Sequence, residues 1–548
     1  MSIRRRKTIL ICLAVGLLAF AYAAWYRSNS VYQHFASGVP DDASYYLKPA
    51  LNYAVGNGST FDGVHSTNGY QPLWFITLVT FFKFLPLEQM TLVNIWYSSL
   101  LLQAVIVGVF TSLFSYFLYR FTQSSALAAI LGFLPLLLMP NRILNLLETP
   151  LQLLLLSIIF IQLFNLFERP AYEDFRERLF LIGISVGILF LARTDGIAMI
   201  PALLLPLSIK FRRNLKRLNW FVAPAVAIIA GYMTINYINF GVLMPVSGAV
   251  KLDSLYRVLY QNPDWWQFVL AKLKFIFGPD EIGTPMLKIL LQSFAFVVPV
   301  IIIVRQVRGK ILSNAELILL GIGSFLLFKY LAYTTIYHSW RANAYWYWVS
   351  DVIIWFVVAS AIAKKVWHQF IDSKTASFLN RVVPALMVGI LSASVILGIT
   401  TRAAERIKPI RDTSVLLDLA NFVKAHDYFE DKKLGAYNAG ILGYFSGRQF
   451  ENLDGLVNSP SFAKLIRMGR RDDYIRQKID ILVEYHASFV PYYAELGFKL
   501  YNVRRYIQSP AVFNPDSGDD YRIYVRSGLQ QDFEDFLGKL SSTARVNQ

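Results

Sequence analysis

Residues 1–26 read MSIRRRKTILICLAVGLLAFAYAAWY, and residues 40–74 read PDDASYYLKPALNYAVGNGSTFDGVHSTNGYQPLW. The first stretch is a basic start followed by one apolar run, and about 20 apolar residues cross a bilayer. The run is longer than a secretory signal core and no small-residue cleavage site follows it, which predicts a retained membrane helix. The second stretch places two adjacent carboxylates, Asp41 and Asp42, just beyond that helix. Acids kept at a lipid boundary are costly and mark chemistry or transport. The plainer reading is a solvated loop start, or Asp42 capping a helix over Ala43–Ala54.

Composition sets the class. Of 548 residues, 55% are hydrophobic and only 16% charged, with a mean hydropathy of +0.42, which describes a polytopic helical membrane protein. Lys and Arg outnumber Asp and Glu by 53 to 36. In a soluble chain that excess would suggest nucleic acid. Here the cations sit at the ends of apolar runs, which fits topology and anionic lipid and argues against a nucleic-acid partner. Cys12 is the only cysteine and lies in the first apolar run, so disulfides, cysteine metal sites and thiol chemistry are excluded.

Eleven candidate spans follow, at roughly 8–26, 91–119, 123–140, 150–167, 179–193, 195–210, 219–240, 285–304, 315–336, 343–363 and 383–401. A twelfth apolar run, Pro72–Pro86, is interrupted by Lys83. Arg4–Lys7 set a cytoplasmic N-terminus, and the basic loops Glu168–Arg178, Lys210–Arg217, Arg305–Lys310 and Lys364–Arg381 all fall inside only if Pro72–Pro86 does not cross. That run is therefore expected to lie in the interface. Leu179–Ile209 has basic flanks at both ends, so it must go out and return, turning at Arg193-Thr194-Asp195-Gly196. Each arm is short, about 22 Å at 1.5 Å per residue, which puts an Arg and an Asp below the outer headgroups, paired or facing water. Residues 1–402 form the expected transmembrane domain, with residues 27–90 as its first external loop. Residues 403–548 form a small external domain. Short β-like runs at 434–437, 479–485 and 521–526 alternate with helical stretches such as Ser461–Met468 and predict an α/β fold for it.

On this topology several candidates share the outer face. Asp41 and Asp42 come first, and His65, Asn68 and Gln71 of the polar loop join them as substrate-binding candidates. Glu148 stands before Pro150, either as a site residue or as a first-turn acid favoured by the helix dipole. Arg193 and Asp195 either bind substrate or close their hairpin as an ion pair. Lys251 ends the segment NYINFGVLMPVSGAVK, as a site cation or a solvated lysine. His338 and Arg341 lie in YHSWRANAYWYW, whose aromatics suit an interfacial belt. Carboxylates and separated cations at one outer cavity suit sugar transfer from a lipid phosphate. An acid takes the proton of an acceptor hydroxyl, and Arg or Lys holds the phosphate leaving group. Of the two adjacent acids, Asp41 is the expected base facing the cavity, while Asp42 is better placed to cap and orient the helix after it. Of the cations, Arg193 is the deepest and is the favoured phosphate ligand.

These segments carry a resemblance. DDASYYLK, TNGYQPLW, LETP, LARTDG, FGVLMPVSGAVK and the tail's GAYNAGILGYFSGRQFENLDGLVN resemble the GT-C superfamily of membrane glycosyltransferases, across nearly the whole chain. That resemblance implies an inverting transfer from a polyprenyl-phosphate sugar to an envelope glycan, lipid or protein, at the outer face of a bacterial plasma membrane, with the first-loop acid as base. It implies no cofactor. A divalent ion held by Asp41, Asp42 and Glu148 is the less favoured variant. The competing classes are a lipid or glycan transporter and a non-catalytic glycan-binding scaffold. Against a transporter, the charges gather on one face and no internal repeat is visible.

Overall fold

The computed structural model describes residues 3–168, 175–251, 297–335, 347, 349–370, 375, 382, 413–507 and 519–546. His338, Arg341, the expected span at 383–401 and part of that at 285–304 lie outside the described residues.

The chain is mostly helical. Helix α1 spans Ile3–Tyr26, α2 Val31–Ala36, α3 Ser44–Ala54, α4 Pro72–Phe82, α5 Leu92–Thr122, α6 Ser125–Leu138, α7 Pro140–Ile143, α8 Thr149–Glu168, α9 Phe175–Ala192, α10 Met199–Lys210 and α11 Asn219–Phe240. Two further long helices cover Asn314–Thr335 and Val349–Phe370. Among the described residues five helices are long and apolar enough to cross a membrane: Arg6–Tyr26, Leu92–Thr122, Thr149–Glu168, Leu215–Phe240 and Asn314–Tyr333. This makes the chain an integral membrane protein. The full set of about eleven crossings goes beyond what these lengths establish, because α6 has 14 residues and α10 has 12.

Local sequence sets the helix ends. Thr91 and Ser124 accept backbone N–H groups at the starts of α5 and α6, satisfying donors that a helix start leaves open. Pro72 opens α4 at a position where its missing N–H is harmless. Gly241, in the left-handed region at φ +69°, stops α11. Helix α4 has 11 residues, about 16 Å at 1.5 Å each, well short of a hydrocarbon core of about 30 Å. Helices α9 and α10 are joined by a 3-10 turn at Thr194–Ala198, just after Arg193.

The C-terminal domain is a five-stranded mixed sheet flanked by helices, with strands β1 Leu434–Ala436, β2 Phe450–Asn452, β3 Ile481–His486, β4 Phe498–Asn502 and β5 Asp519–Arg526. The strand order is β2-β1-β3-β5-β4. β1 runs parallel to β2 and β3, pairing Leu434 with Phe450 and Ile481. β5 runs antiparallel to β3 and β4, with Tyr524 opposite Leu482 and Leu500. The runs read as strands at 434–437, 479–485 and 521–526 are β1, β3 and β5.

Two large apolar cores divide the molecule. One fills the helical bundle. The other joins α2, α3, α4 and the start of α5 to the C-terminal domain, so loop and domain share one interior. Phe35 meets Phe445 edge-on at 6.0 Å within a cluster that includes Trp96 and Tyr444.

Candidate active site

A cleft opens where loop, bundle and C-terminal domain meet. Asp42, Tyr46, Gln71, Glu148, Lys251 and Tyr347 line it from the membrane domain. Leu456 lines it from the C-terminal domain, next to Tyr45 and Gly69. Segments far apart in sequence converge here, and each is held by identifiable contacts.

Glu148 is buried just before α8. The Tyr46 hydroxyl donates to its Oε2 at 2.8 Å and Arg193 Nη1 to its Oε1 at 2.7 Å. Arg193 also donates through Nε to Asp195 at 3.3 Å and through Nη2 to Tyr333 Oη at 3.4 Å. The Tyr333 hydroxyl closes the ring on Asp195 at 2.9 Å. Arg193, only 2% exposed, is therefore enclosed by two carboxylates and does not line the cleft. The ion-pair reading of the hairpin describes its placement, and Arg193 holds the corner between α9 and α10. Gln71 lines the cleft and accepts the Thr194 N–H at 3.2 Å, tying the loop to the hairpin.

Lys251 donates to the Tyr347 hydroxyl at 2.8 Å. Burial works against its charge, but Tyr347, Asp42 and Asp454 together hold its pKa above the ordinary value, so it stays a cation. The helical residues 246–251 that carry it are anchored by Asn68, whose Oδ1 accepts the Val246 N–H at 3.0 Å and whose amide reaches Met244 O. Asn68 thus positions the lysine's segment and does not itself line the cleft. His65 pairs with Asp62 at 2.6 Å in the outer part of the loop and is likewise absent from the lining.

The two adjacent acids are placed the other way round from expectation. Asp41 is buried, and its oxygens accept the Gly440 N–H at 3.0 Å and the Ile441 N–H at 2.6 Å, at the start of the helix Ala439–Phe445. Asp42 lines the cleft. Helix α3 has Ala43 at its N-cap and no side-chain cap. The reason is long-range: the donors that claim Asp41 lie 399 and 400 residues away. Burial pushes the Asp41 carboxyl up to about 6, with the two N–H bonds opposing the rise and the neighbouring Asp42 adding to it.

Residues outside the expected set join the site, Tyr45, Tyr46, Ser247 and Tyr347 in the lining and Asp454 beside it. Tyr45 and Tyr46 stand in the DDASYYLK motif but carried no signal beyond aromatic character. Asp454, in the loop after β2, accepts the Leu456 N–H at 2.7 Å and faces the Tyr45 hydroxyl at 3.4 Å. Burial raises its pKa to about 7, and Asp42 and Asp41 add to the rise. Among the described residues no group of three or more His, Cys, Asp or Glu side chains is arranged to hold a metal ion. Asp41 and Glu148 are already engaged with the donors named above.

The family described as "Domain of unknown function (DUF8728)" matches residues 406–524. No curated protein matches. Among solved structures, the fold is similar to an Archaeoglobus fulgidus oligosaccharyltransferase complexed with zinc and sulfate, at 12% identity and TM-score 0.47, covering 94% of this chain and 72% of that one. It is also similar to ArnT from Cupriavidus metallidurans bound to undecaprenyl phosphate, at 14% identity and TM-score 0.45, covering 94% and 97%. The apo state of that ArnT matches at 13% identity and TM-score 0.47, covering 95% and 98%.

Proposed function

We propose that this protein is a membrane glycosyltransferase that moves a sugar from a polyprenyl-phosphate donor to a cell-envelope acceptor at the outer face of the membrane. The observation that carries the reading is the pairing, in one cleft at the end of the helical bundle, of the carboxylate of Asp42 with the ammonium of Lys251. The motif resemblance points the same way. Asp42 is the base in this reading, in place of Asp41.

The chemistry balances without a further reactant. Asp42 takes the proton of the acceptor hydroxyl as its oxygen attacks the anomeric carbon. The bond from that carbon to the phosphate oxygen breaks, and the electron pair leaves on the polyprenyl phosphate. Lys251 faces the charge that develops there, where a positioned cation lowers the barrier. A single displacement inverts the anomeric centre. Glu148, fixed by Tyr46 and Arg193, shapes the wall beside the reacting groups. Ser247 and Gln71 offer hydrogen bonds to sugar hydroxyls.

The test is mass spectrometry of envelope glycans and lipid-linked sugars in cells carrying wild-type protein, no protein, or Asp42→Asn. Loss of one envelope sugar with accumulation of its lipid-linked form, in both the deletion and Asp42→Asn, is expected. Unchanged glycans in the deletion would refute transfer. A wild-type pattern in Asp42→Asn would remove the base from this residue and leave the scaffold reading standing.

A further inference from the structure

Asp41 joins the two halves of the molecule. Both of its carboxylate oxygens accept amide hydrogens from the first turn of Ala439–Phe445 in the C-terminal domain. Gly440 makes that approach possible: a Cβ there would stand 2.4 Å from the Asp41 carbonyl oxygen and 2.8 Å from its carboxyl carbon. Asp41 and Asp42 belong to one 3-10 turn, Asp41–Ala43, a type of turn with weak hydrogen-bond geometry of its own. Whatever fixes Asp41 therefore fixes the backbone that carries Asp42.

Other contacts make the same join. The Tyr45 hydroxyl reaches Tyr437 O at 3.2 Å and accepts from Asn452 Nδ2 at 3.1 Å. Gly69 lies so close to the Leu456 carbonyl that a Cβ would stand 1.8 Å from it. The C-terminal domain thus presses on the turn from one side and supplies the cleft wall at Leu456 on the other.

We propose that Asp41 is a positioning residue through which the C-terminal domain seats Asp42 in the cleft, so that the site is assembled only while the domain is docked. This rests on the reading of Asp42 as the base. Catalytic groups need placement to within about 0.5 Å by residues that are themselves locked, and a turn held at both oxygens of one side chain supplies that lock. The two-acid motif then divides its labour: the first residue holds the domain and the second does the chemistry.

The experiment uses the full chain in lipid nanodiscs, as wild type, Asp41→Ala, Asp41→Asn and Gly440→Ala. Hydrogen exchange of segments 38–46 and 439–445 is read beside envelope sugar transfer in cells. Asp41→Ala breaks the join from the loop and Gly440→Ala breaks it from the domain, so both should speed exchange in both segments. The expected change is about tenfold or more, the effect of losing a hydrogen bond to a charged group, while α8 keeps its protection. Asp41→Asn keeps one acceptor oxygen and should fall between, and transfer should decline in the same order. Wild-type exchange at 38–46 in both Asp41→Ala and Gly440→Ala would overturn the proposal. So would Asp41→Asn that exchanges like wild type yet transfers nothing, because Asp41 would then act in the chemistry itself. If the two disruptive variants fail to assemble, Asp41→Asn decides alone. The exchange comparison needs no donor, so it stands even if Asp42→Asn proves active and the base assignment falls.

Discussion

Arg193 and Lys251 meet the same aromatic ring, with the guanidinium carbon 4.8 Å and the ammonium 5.5 Å from the centre of Tyr347, yet the fold uses them differently. Arg193 is ringed by Glu148, Asp195 and Tyr333 and closes the corner between α9 and α10. Lys251 lines the cleft with Asp42. A planar fork of five donors suits a corner with two carboxylates to satisfy, whereas a compact ammonium on a flexible stem suits a passing phosphate. Burial therefore does not by itself set a cation at the cleft. What separates them is geometry: two carboxylates close around Arg193, while Lys251 stays on the cleft lining.

The strongest way to break this comparison is at the anion facing Lys251. Asp42→Asn should reduce transfer by about 10²–10⁴-fold, the usual contribution of a general base, with donor binding and thermal midpoint preserved. Turnover measured on purified protein checks this, and near wild-type activity would return the role to another acid. Next comes the architectural cation. Arg193→Ala leaves Glu148 and Asp195 buried without their partner and should destabilise the protein by about 3–5 kcal/mol, read as a lower thermal midpoint. A folded, stable Arg193→Ala that has lost only donor affinity would reverse the assignment made here. Lys251→Ala should weaken binding of a short polyprenyl phosphate about tenfold to a hundredfold, with a smaller fall in thermal midpoint than Arg193→Ala, because Lys251 faces the open cleft. Titration calorimetry distinguishes the two outcomes.

The smallest effect is in pH. Burial raises Asp41 to about 6, Asp454 to about 7 and Glu484 to about 8, all above their ordinary carboxylate values. Glu484 accepts the N–H groups of Tyr437 and Asn438 beside the helix that meets Asp41. A carboxyl with a raised folded pKa binds its proton more tightly when folded, so its stabilisation is present at low pH and is lost as pH rises through the folded value. Thermal midpoints should therefore rise as pH falls from 8 towards 6, at most about 1.4 kcal/mol per pH unit for each proton taken up. Asp454→Asn should flatten the profile near pH 7. A midpoint that falls over that range would show that these carboxylates are not the controlling groups.

Much of this site was legible in the chain. Asp42, Gln71, Glu148 and Lys251 were candidates from residue type and position relative to apolar runs, and all four line one cleft. Asn68 and His65, expected at the substrate, lie off the cleft lining. Asn68 holds the backbone near Val246, and His65 pairs with Asp62. Asp454 was quoted within a motif yet not chosen, because an acid in a polar tail segment looks like any solvated acid until a core closes over it.

The sequence by itself determined the membrane class, the long apolar helices of the bundle, the Arg193–Asp195 turn and three of the five β runs of the C-terminal domain. Each follows from local periodicity, capping residues or the length of an apolar run, and these act over a few residues. Only the tertiary structure decided which carboxylate and which cation line the cleft. A carboxylate's role depends on which donors reach it. Here those donors are backbone amides at Gly440 and Ile441 for Asp41, and Arg193 for Glu148 and Asp195, brought together only by the packing of one core across loop and domain.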